Sequence, residues 1–157
     1  MSFEIRDEPY DSANATMLMA ALQAEYVQRY GGLDSTPVDA EEFTPPAGRF
    51  VVGYLDGAPV AMGGLRRRPG VTDEVELKRM YVAPAARGAG LSRLMLVALE
   101  DRARDLGATR VVLETGQRQP EAIGLYTSSG YEPIDGFGHY RDAPLSLSFA
   151  KPLHIDL

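Results

Sequence analysis

M-Y-V-A-P-A-A-R-G-A-G-L-S-R-L-M, residues 80–95, decides how this chain is read. An apolar strand ends at Val82, a short loop carrying Pro84 follows, and Arg87-Gly88-Ala89-Gly90 opens directly into a helix. Glycines between a strand end and a helix start let bare backbone N–H groups crowd around an anion. The helix dipole adds partial positive charge at the same point. Arg87 and Arg93 bring full charges to its flanks. The pattern is that of a cradle for a pyrophosphate.

Around the cradle the elements fall into a regular order. Residues 74–82 read as the strand that feeds it. Residues 91–106 read as an amphipathic helix, with Leu91, Leu94, Met95, Ala98 and Leu106 expected in the core and Gly107 as its stop. A strand over 109–115 follows, then a helix over 120–129 with Pro120 in its first turn and Gly130 at its end. Closing strands are expected over 131–134 and 145–151.

Upstream, a strand over 3–6 precedes a helix over 13–30. That helix carries Met17, Met19, Leu22, Tyr26 and Val27 on one side and stops at Gly31-Gly32. Residues 33–48, with three prolines, read as loop with one helical turn at 39–43. Strands over 49–55 and 58–65 join through Asp56-Gly57, a strong hairpin signal. Residues 66–72 read as a turn-rich connector, and the Arg66-Arg67-Arg68 run as a solvated turn. This order predicts the α+β class, one mixed sheet flanked by helices, in a single domain over residues 1–157.

With 157 residues, 45% hydrophobic and 24% charged, the composition is that of one soluble domain. The absence of cysteine excludes disulfides, thiolate metal sites and a cysteine nucleophile, and fits the cytoplasm. His139 and His154 have no metal-ligand spacing. The first residues lack the apolar run of a signal peptide, and no apolar run approaches the length of a membrane span. Net charge is −6, yet residues 64–118 hold 11 basic and 7 acidic side chains, so positive charge gathers around the cradle. That field would steer a polyanion, while the acidic remainder argues against nucleic acid and favours a cationic acceptor.

Met80-Tyr81-Val82, residues 84–92, Ala122-Ile123-Gly124-Leu125-Tyr126 and Gly130-Tyr131 together resemble the motifs of the GNAT superfamily of N-acetyltransferases, in kind and in order. The Arg-Gly-x-Gly piece is weak alone; the Leu-Tyr-x-x-x-Gly-Tyr piece behind it makes the pair specific. The resemblance spans roughly residues 3–153. It implies a mostly antiparallel mixed sheet with a V-shaped splay, acetyl-CoA as cosubstrate and no metal. It further implies that the pyrophosphate rests on Arg87, Gly88, Ala89, Gly90, Leu91, Ser92 and Arg93. The backbone of Met80, Tyr81 and Val82 would offer pantetheine an unpaired strand edge, and an N–H there would polarise the acetyl carbonyl. Ser92 stands where the family pattern has Gly or Ala, and Gln119, a further cofactor contact, where many relatives have Asn.

By the same resemblance Tyr126, which also touches the cofactor, protonates the leaving thiolate; its plainer role is a core tyrosine. The base stays open among Glu74, Glu76 and Glu114, with water relays beside them. Glu76 shares a face with Lys78 and Met80 by alternation, and its structural role would be a salt bridge with Lys78 or Arg79. Glu114 ends the adjacent strand, with a structural role as a hydrogen-bonded carboxylate beside Thr115. Tyr26, Tyr30 and Tyr140, with Arg29, Phe137 and Arg141, are expected to line an acceptor pocket under a lid at 136–140.

The function expected is acetyl transfer from acetyl-CoA to the primary amine of a small molecule, directly, in a ternary complex. No nucleic acid or membrane partner is expected, and homodimers are frequent in the family. The lack of cysteine and of a Gly-x-Ser-x-Gly elbow disfavours an acyl-enzyme. The rivals are a protein amine acceptor, N-terminal or lysine, a non-catalytic acyl-CoA-binding sensor, and a P-loop nucleotide binder whose Gly-Lys-Ser/Thr ending is missing here.

Overall fold

In the computed structural model, which describes residues 2–154, the chain runs β1 (Phe3–Asp7), α1 (Ala13–Tyr30), a 3-10 turn (Ala40–Phe43), β2 (Gly48–Leu55), β3 (Ala58–Arg68), β4 (Val71–Val82), a second 3-10 turn (Pro84–Ala86), α2 (Leu91–Asp105), β5 (Arg110–Gly116), α3 (Pro120–Ser128), β6 (Glu132–Ile134) and β7 (Ser146–Pro152). The seven strands form one sheet in the order β1-β2-β3-β4-β5-β7-β6. Every neighbouring pair is antiparallel except β4 and β5. The expected α+β class and mixed, mostly antiparallel sheet are both present.

Local chemistry explains the boundaries. Ser12 caps α1 by accepting the Ala15 N–H at 3.1 Å, and Gly31 ends the helix at φ 76°. Asp56 and Gly57, at φ 50° and 85°, make the primed turn that a two-residue hairpin needs. Residues 66–72 differ from the expected connector. β3 runs on to Arg68 and β4 starts at Val71, leaving only Pro69-Gly70 as the turn. The three arginines are not solvated. Arg66 pairs with Glu76 at 3.0 Å and Glu42 at 3.3 Å, Arg67 donates to the carbonyls of Pro46 and Leu106, and Arg68 pairs with Glu74. Cross-strand ion pairs thus extend a hairpin where composition alone suggested a loop.

α1 covers one face of the sheet through Ala15, Leu18 and Leu22, against Phe50, Val52, Met62 and Tyr81. Met17 and Val27, expected on that side, are exposed. α2 and α3 cover the other face, where Leu91, Met95, Leu96, Leu99, Ala103 and Tyr126 join Val75, Leu77, Val111 and Leu113. Leu94, expected in the core, is 51% exposed; it sits one residue off the 91-95-99-103 row that meets the sheet. The close approach of α2 needs Gly63, since a Cβ there would lie 2.7 Å from Leu99 Cδ1.

Two irregularities in β4 create the site. First, β4 pairs with β5 only through Glu74–Leu77 against Arg110–Leu113. Beyond Leu77, β4 continues beside β3 alone while β5 continues beside β7 to Gly116, so the strands part in the expected V. Second, the β3–β4 register slips between Met62 and Gly64, which places Arg79 and Met80 opposite Gly63. Arg79 takes φ 59°, uncommon for a side-chain-bearing residue and characteristic of a bulge. The extra residue reverses the alternation. Lys78 and Arg79 both reach the α1 side, toward Thr36 and Asp34, while Met80 packs with the α2 and α3 core. The expected shared face of Glu76, Lys78 and Met80 is therefore corrected: Met80 points the opposite way.

Candidate active site

The cradle lies where β4 hands over to α2. Gly88 and Gly90 stand at φ 89° and 76° with open space where a Cβ would be, so what they supply is backbone conformation. Gly90 is the N-cap of α2 and brings no side-chain cap, and no acidic residue occupies the first turn. The leading N–H groups of α2, from Leu91, Ser92 and Arg93, are thus left for an outside acceptor, with the helix dipole behind them. Ser92 sits inside the first turn. Ala89 is exposed between the two glycines. Among the described residues Arg93 donates only to the neutral hydroxyls of Ser128 and Ser129, at 2.6 and 3.3 Å, and no acid among them pairs with its charge beside the cradle. Arg87 is tied down differently: it donates to Glu25 at 2.8 Å and to the Val82 carbonyl at 2.9 Å, and lies 5.8 Å from the centre of the Tyr81 ring.

Met80, Tyr81 and Val82 lie beyond the last β4–β5 pair, on the arm of the V next to the cradle. Their β5-facing edge is free of strand partners, and the Arg87 side chain occupies the Val82 carbonyl. Tyr126 lies beneath this arm, fully packed, with its hydroxyl 3.9 Å from Met80 Sδ and its ring edge-on to Tyr131 at 5.5 Å. Burial pushes the Tyr126 phenol well above its ordinary value, so it stays protonated and has a proton to give.

On the α1 side the V opens into a cavity of about 310 Å³. Five of the expected residues meet there: Tyr26, Tyr30, Glu114, Gln119 and Tyr140. Gln119 Nε2 donates to the Tyr30 hydroxyl at 3.2 Å, and Gly116 lets that hydroxyl approach, since a Cβ would sit 1.8 Å from it. Glu114 Oε2 accepts the Tyr140 N–H at 2.9 Å; within the described residues Oε1 is buried with no partner. Gly138 makes this possible, because a Cβ there would lie 2.5 Å from Oε1. Burial raises the Glu114 pKa, against the pull of the Tyr140 N–H and of Lys78. A carboxylate at a cavity wall, with one oxygen anchored and the other without a partner among the described residues, is equipped to take a proton.

The other carboxylates are placed differently. Glu76 is buried but engaged by Arg66 from the neighbouring strand, not by Lys78 or Arg79, and it does not line the cavity. Glu74 is held by Arg68 and Arg110. Phe137 lies under the Arg68 guanidinium at 4.6 Å, away from the cavity.

Among the lining residues not anticipated from sequence, two are charged, Asp34 and Lys78. Asp34 Oδ1 accepts from the Tyr140 hydroxyl at 2.8 Å and from Thr36 Oγ1 at 2.7 Å, while Oδ2 faces Arg79 Nε at 3.0 Å. Burial acts to raise its pKa, but Lys78, Thr36 and Arg79 together hold it below the ordinary carboxylate value. Tyr140 therefore ties the loop before β7 to both acids. The nearest sequence signal was the charge at 78 and 79, whose common direction depends on a bulge that alternation does not reveal.

A family model described as the acetyltransferase (GNAT) family matches residues 15–131, from the first turn of α1 through Tyr131. The chain is 33% identical over 151 residues to the IAA acetyltransferase of Azospirillum brasilense, covering 94% of this chain and 95% of that protein. The crystal structure of a Klebsiella pneumoniae protein assigned as an acyl-CoA N-acyltransferase superposes with a TM-score of 0.82 at 31% identity, over 97% of this chain and 98% of that one. A GNAT family acetyltransferase from Elizabethkingia anophelis, solved with acetyl-CoA bound, gives a TM-score of 0.69 over 96% of this chain and 98% of that one; at 14% identity the likeness is one of fold.

Proposed function

The chain belongs to the acetyltransferase (GNAT) family and is an acetyl-CoA-dependent acetyltransferase; from that premise, we propose that it transfers the acetyl group directly to the amine of a small molecule seated in the cavity between β4 and β5. The observation that carries this reading is Glu114, a lining residue of a cavity of about 310 Å³, the size of a small molecule, with one carboxylate oxygen lacking a partner among the described residues.

The residues fit the donor. The uncapped N-terminus of α2, with Gly88 and Gly90 at positive φ and Arg93 alongside, suits a pyrophosphate. The unpaired edge of Met80, Tyr81 and Val82 suits amides added in strand fashion. When bound, the thioester supplies an acetyl group activated for attack. Glu114 Oε1 takes the proton released as the amine nitrogen bonds to the acetyl carbon. As the carbon–sulfur bond breaks, the Tyr126 hydroxyl gives its proton to the sulfur, and an N–H of the strand tip stabilises the carbonyl oxygen. Holding both reactants along one cleft removes much of the barrier, on the order of 7 kcal/mol in well-aligned cases. A cysteine-free chain that works on acetyl-CoA fits the cytoplasm.

A thermal shift with acetyl-CoA, CoA and ATP in parallel, followed by free-thiol release across a panel of small amines, tests the proposal. Stabilisation by both CoA species but not ATP, with thiol release that Glu114→Gln abolishes, is expected. Release that requires a peptide or protein amine, or none with any amine, overturns it.

A further inference from the structure

Lys78 lines the cavity and has no part in the proton transfers above. Its side chain is 7% exposed. An ammonium has three N–H donors to place. Lys78 Nζ has one short partner, the neutral Thr36 Oγ1 at 3.0 Å, while Asp34 Oδ2 stands off at 3.9 Å. That same Oδ2 is already met by Arg79 at 3.0 Å, and Oδ1 is filled by Tyr140 and Thr36. Arg79 is thus the nearer partner of Asp34, and Lys78 is a buried cation held from its counter-charge at 3.9 Å, an arrangement that a closer anion would improve. Burial lowers its pKa, the mark of an ammonium incompletely satisfied by its neighbours.

Two further residues lining the same cavity each carry a buried polar atom without a partner within the described residues, Glu114 through Oε1 and Ser146 through Oγ. Glu114 and Lys78 form no ion pair with each other within the described residues, so, with Asp34 met by Arg79, the cavity wall carries one further acid and one cation. Neither sign alone explains the pair; a molecule bearing both opposite signs does.

We infer that the acceptor carries a carboxylate as well as its amine, the carboxylate bound by Lys78 Nζ while the amine faces Glu114, so that the substrate class is a free amino acid rather than a plain amine. This rests on the cavity being the acceptor site. Ser146 Oγ is the second donor available to the carboxylate. Lys78 is then the residue that sets specificity, and it does not take part in the bond changes.

The test is thiol release with pairs of acceptors that share amine and side chain: a free amino acid and its carboxamide, for several apolar amino acids. The wild-type enzyme is expected to favour the free acid by about tenfold or more in kcat/KM, the value of one hydrogen bond to a charged group. Lys78→Met should bring the ratio near one by raising KM for the free acid, with the thermal shift by acetyl-CoA retained; Lys78→Arg should keep the preference. A lysine that merely supports the fold would change both members of a pair alike. Release with both members at a wild-type ratio near one overturns the inference and leaves the amine reading standing, even if Lys78→Met fails to fold. Release with neither member of any pair, beside release from a protein amine, overturns both.

Discussion

Where the cleft meets α2, it is made of backbone: positive-φ glycines and open N–H groups, within a few consecutive residues. Where it meets the cavity it is made of side chains, Glu114, Lys78, Asp34 and Tyr140, drawn from β5, β4 and two separate loops. In the proposed reaction the first end meets a group common to every reaction of the family, for which geometry suffices. The second has to discriminate, and discrimination takes charges and hydroxyls set against one another at defined positions. Loss at the first end should therefore appear in donor affinity, and loss at the second in chemistry and acceptor choice.

The hardest test of that division is Glu114→Gln. Thiol release should fall by about 10²- to 10⁴-fold while the acetyl-CoA thermal shift persists. A matching loss of acetyl-CoA binding would erase the distinction. The base works only when ionised, so kcat/KM should rise with pH through a pKa lying above the ordinary glutamate value of about 4.3, and the variant should lose this limb. Stability moves the other way. A carboxyl whose folded pKa is raised is most stabilising while protonated, and that contribution is lost as pH rises through the folded value. At neutral pH Glu114→Gln should melt no lower than the parent in differential scanning.

Next in size is Tyr126→Phe, which should lower kcat about 10²-fold with KM for both substrates little changed. Among the described residues its hydroxyl has only a sulfur at 3.9 Å as partner, so the melting temperature should hold or rise. Unimpaired turnover would remove Tyr126 from the chemistry. Gly90→Val sharpens the comparison from the donor side. Forcing a side chain into the left-handed region costs about 1–2 kcal/mol, enough to raise KM for acetyl-CoA about tenfold, with acceptor KM unmoved. The smallest effect belongs to Glu25→Gln, which frees Arg87. This partly exposed pair is worth at most about 1 kcal/mol, so acetyl-CoA affinity should shift by less than about fivefold, and less again in high salt.

The same division governs what the sequence disclosed. The cradle is local: Arg87-Gly88-Ala89-Gly90 followed by an apolar helical row can be read without knowing what packs above it. So can the hairpin at Asp56-Gly57 and the Gly31-Gly32 stop of α1. The cavity is nonlocal. That Glu114 can stand at the cavity wall depends on Gly138 lying against it, 24 positions away, and that Glu76 is held by a guanidinium depends on Arg66 across the hairpin. The arginine run at 66–68 read as solvated because its acids, Glu42, Glu74 and Glu76, are distributed along the chain. Leu94 read as core because composition cannot tell which of two adjacent helical rows meets the sheet.

The extra residue at Arg79 gives β4 a change of parity partway along. At its root, odd-numbered positions (Val75, Leu77) belong to the α2 core; at its tip, even-numbered ones (Met80, Val82) do. Excising Arg79 would shorten the strand by one position and also turn its last three residues over. Met80 would leave the Tyr126 hydroxyl for the α1 side, and Tyr81 would be driven into the layer that Leu91 and Met95 fill. Root and tip are thus insulated from each other: substitutions that tune the cleft edge need not respect the pattern that holds the sheet together, provided the count between them is kept.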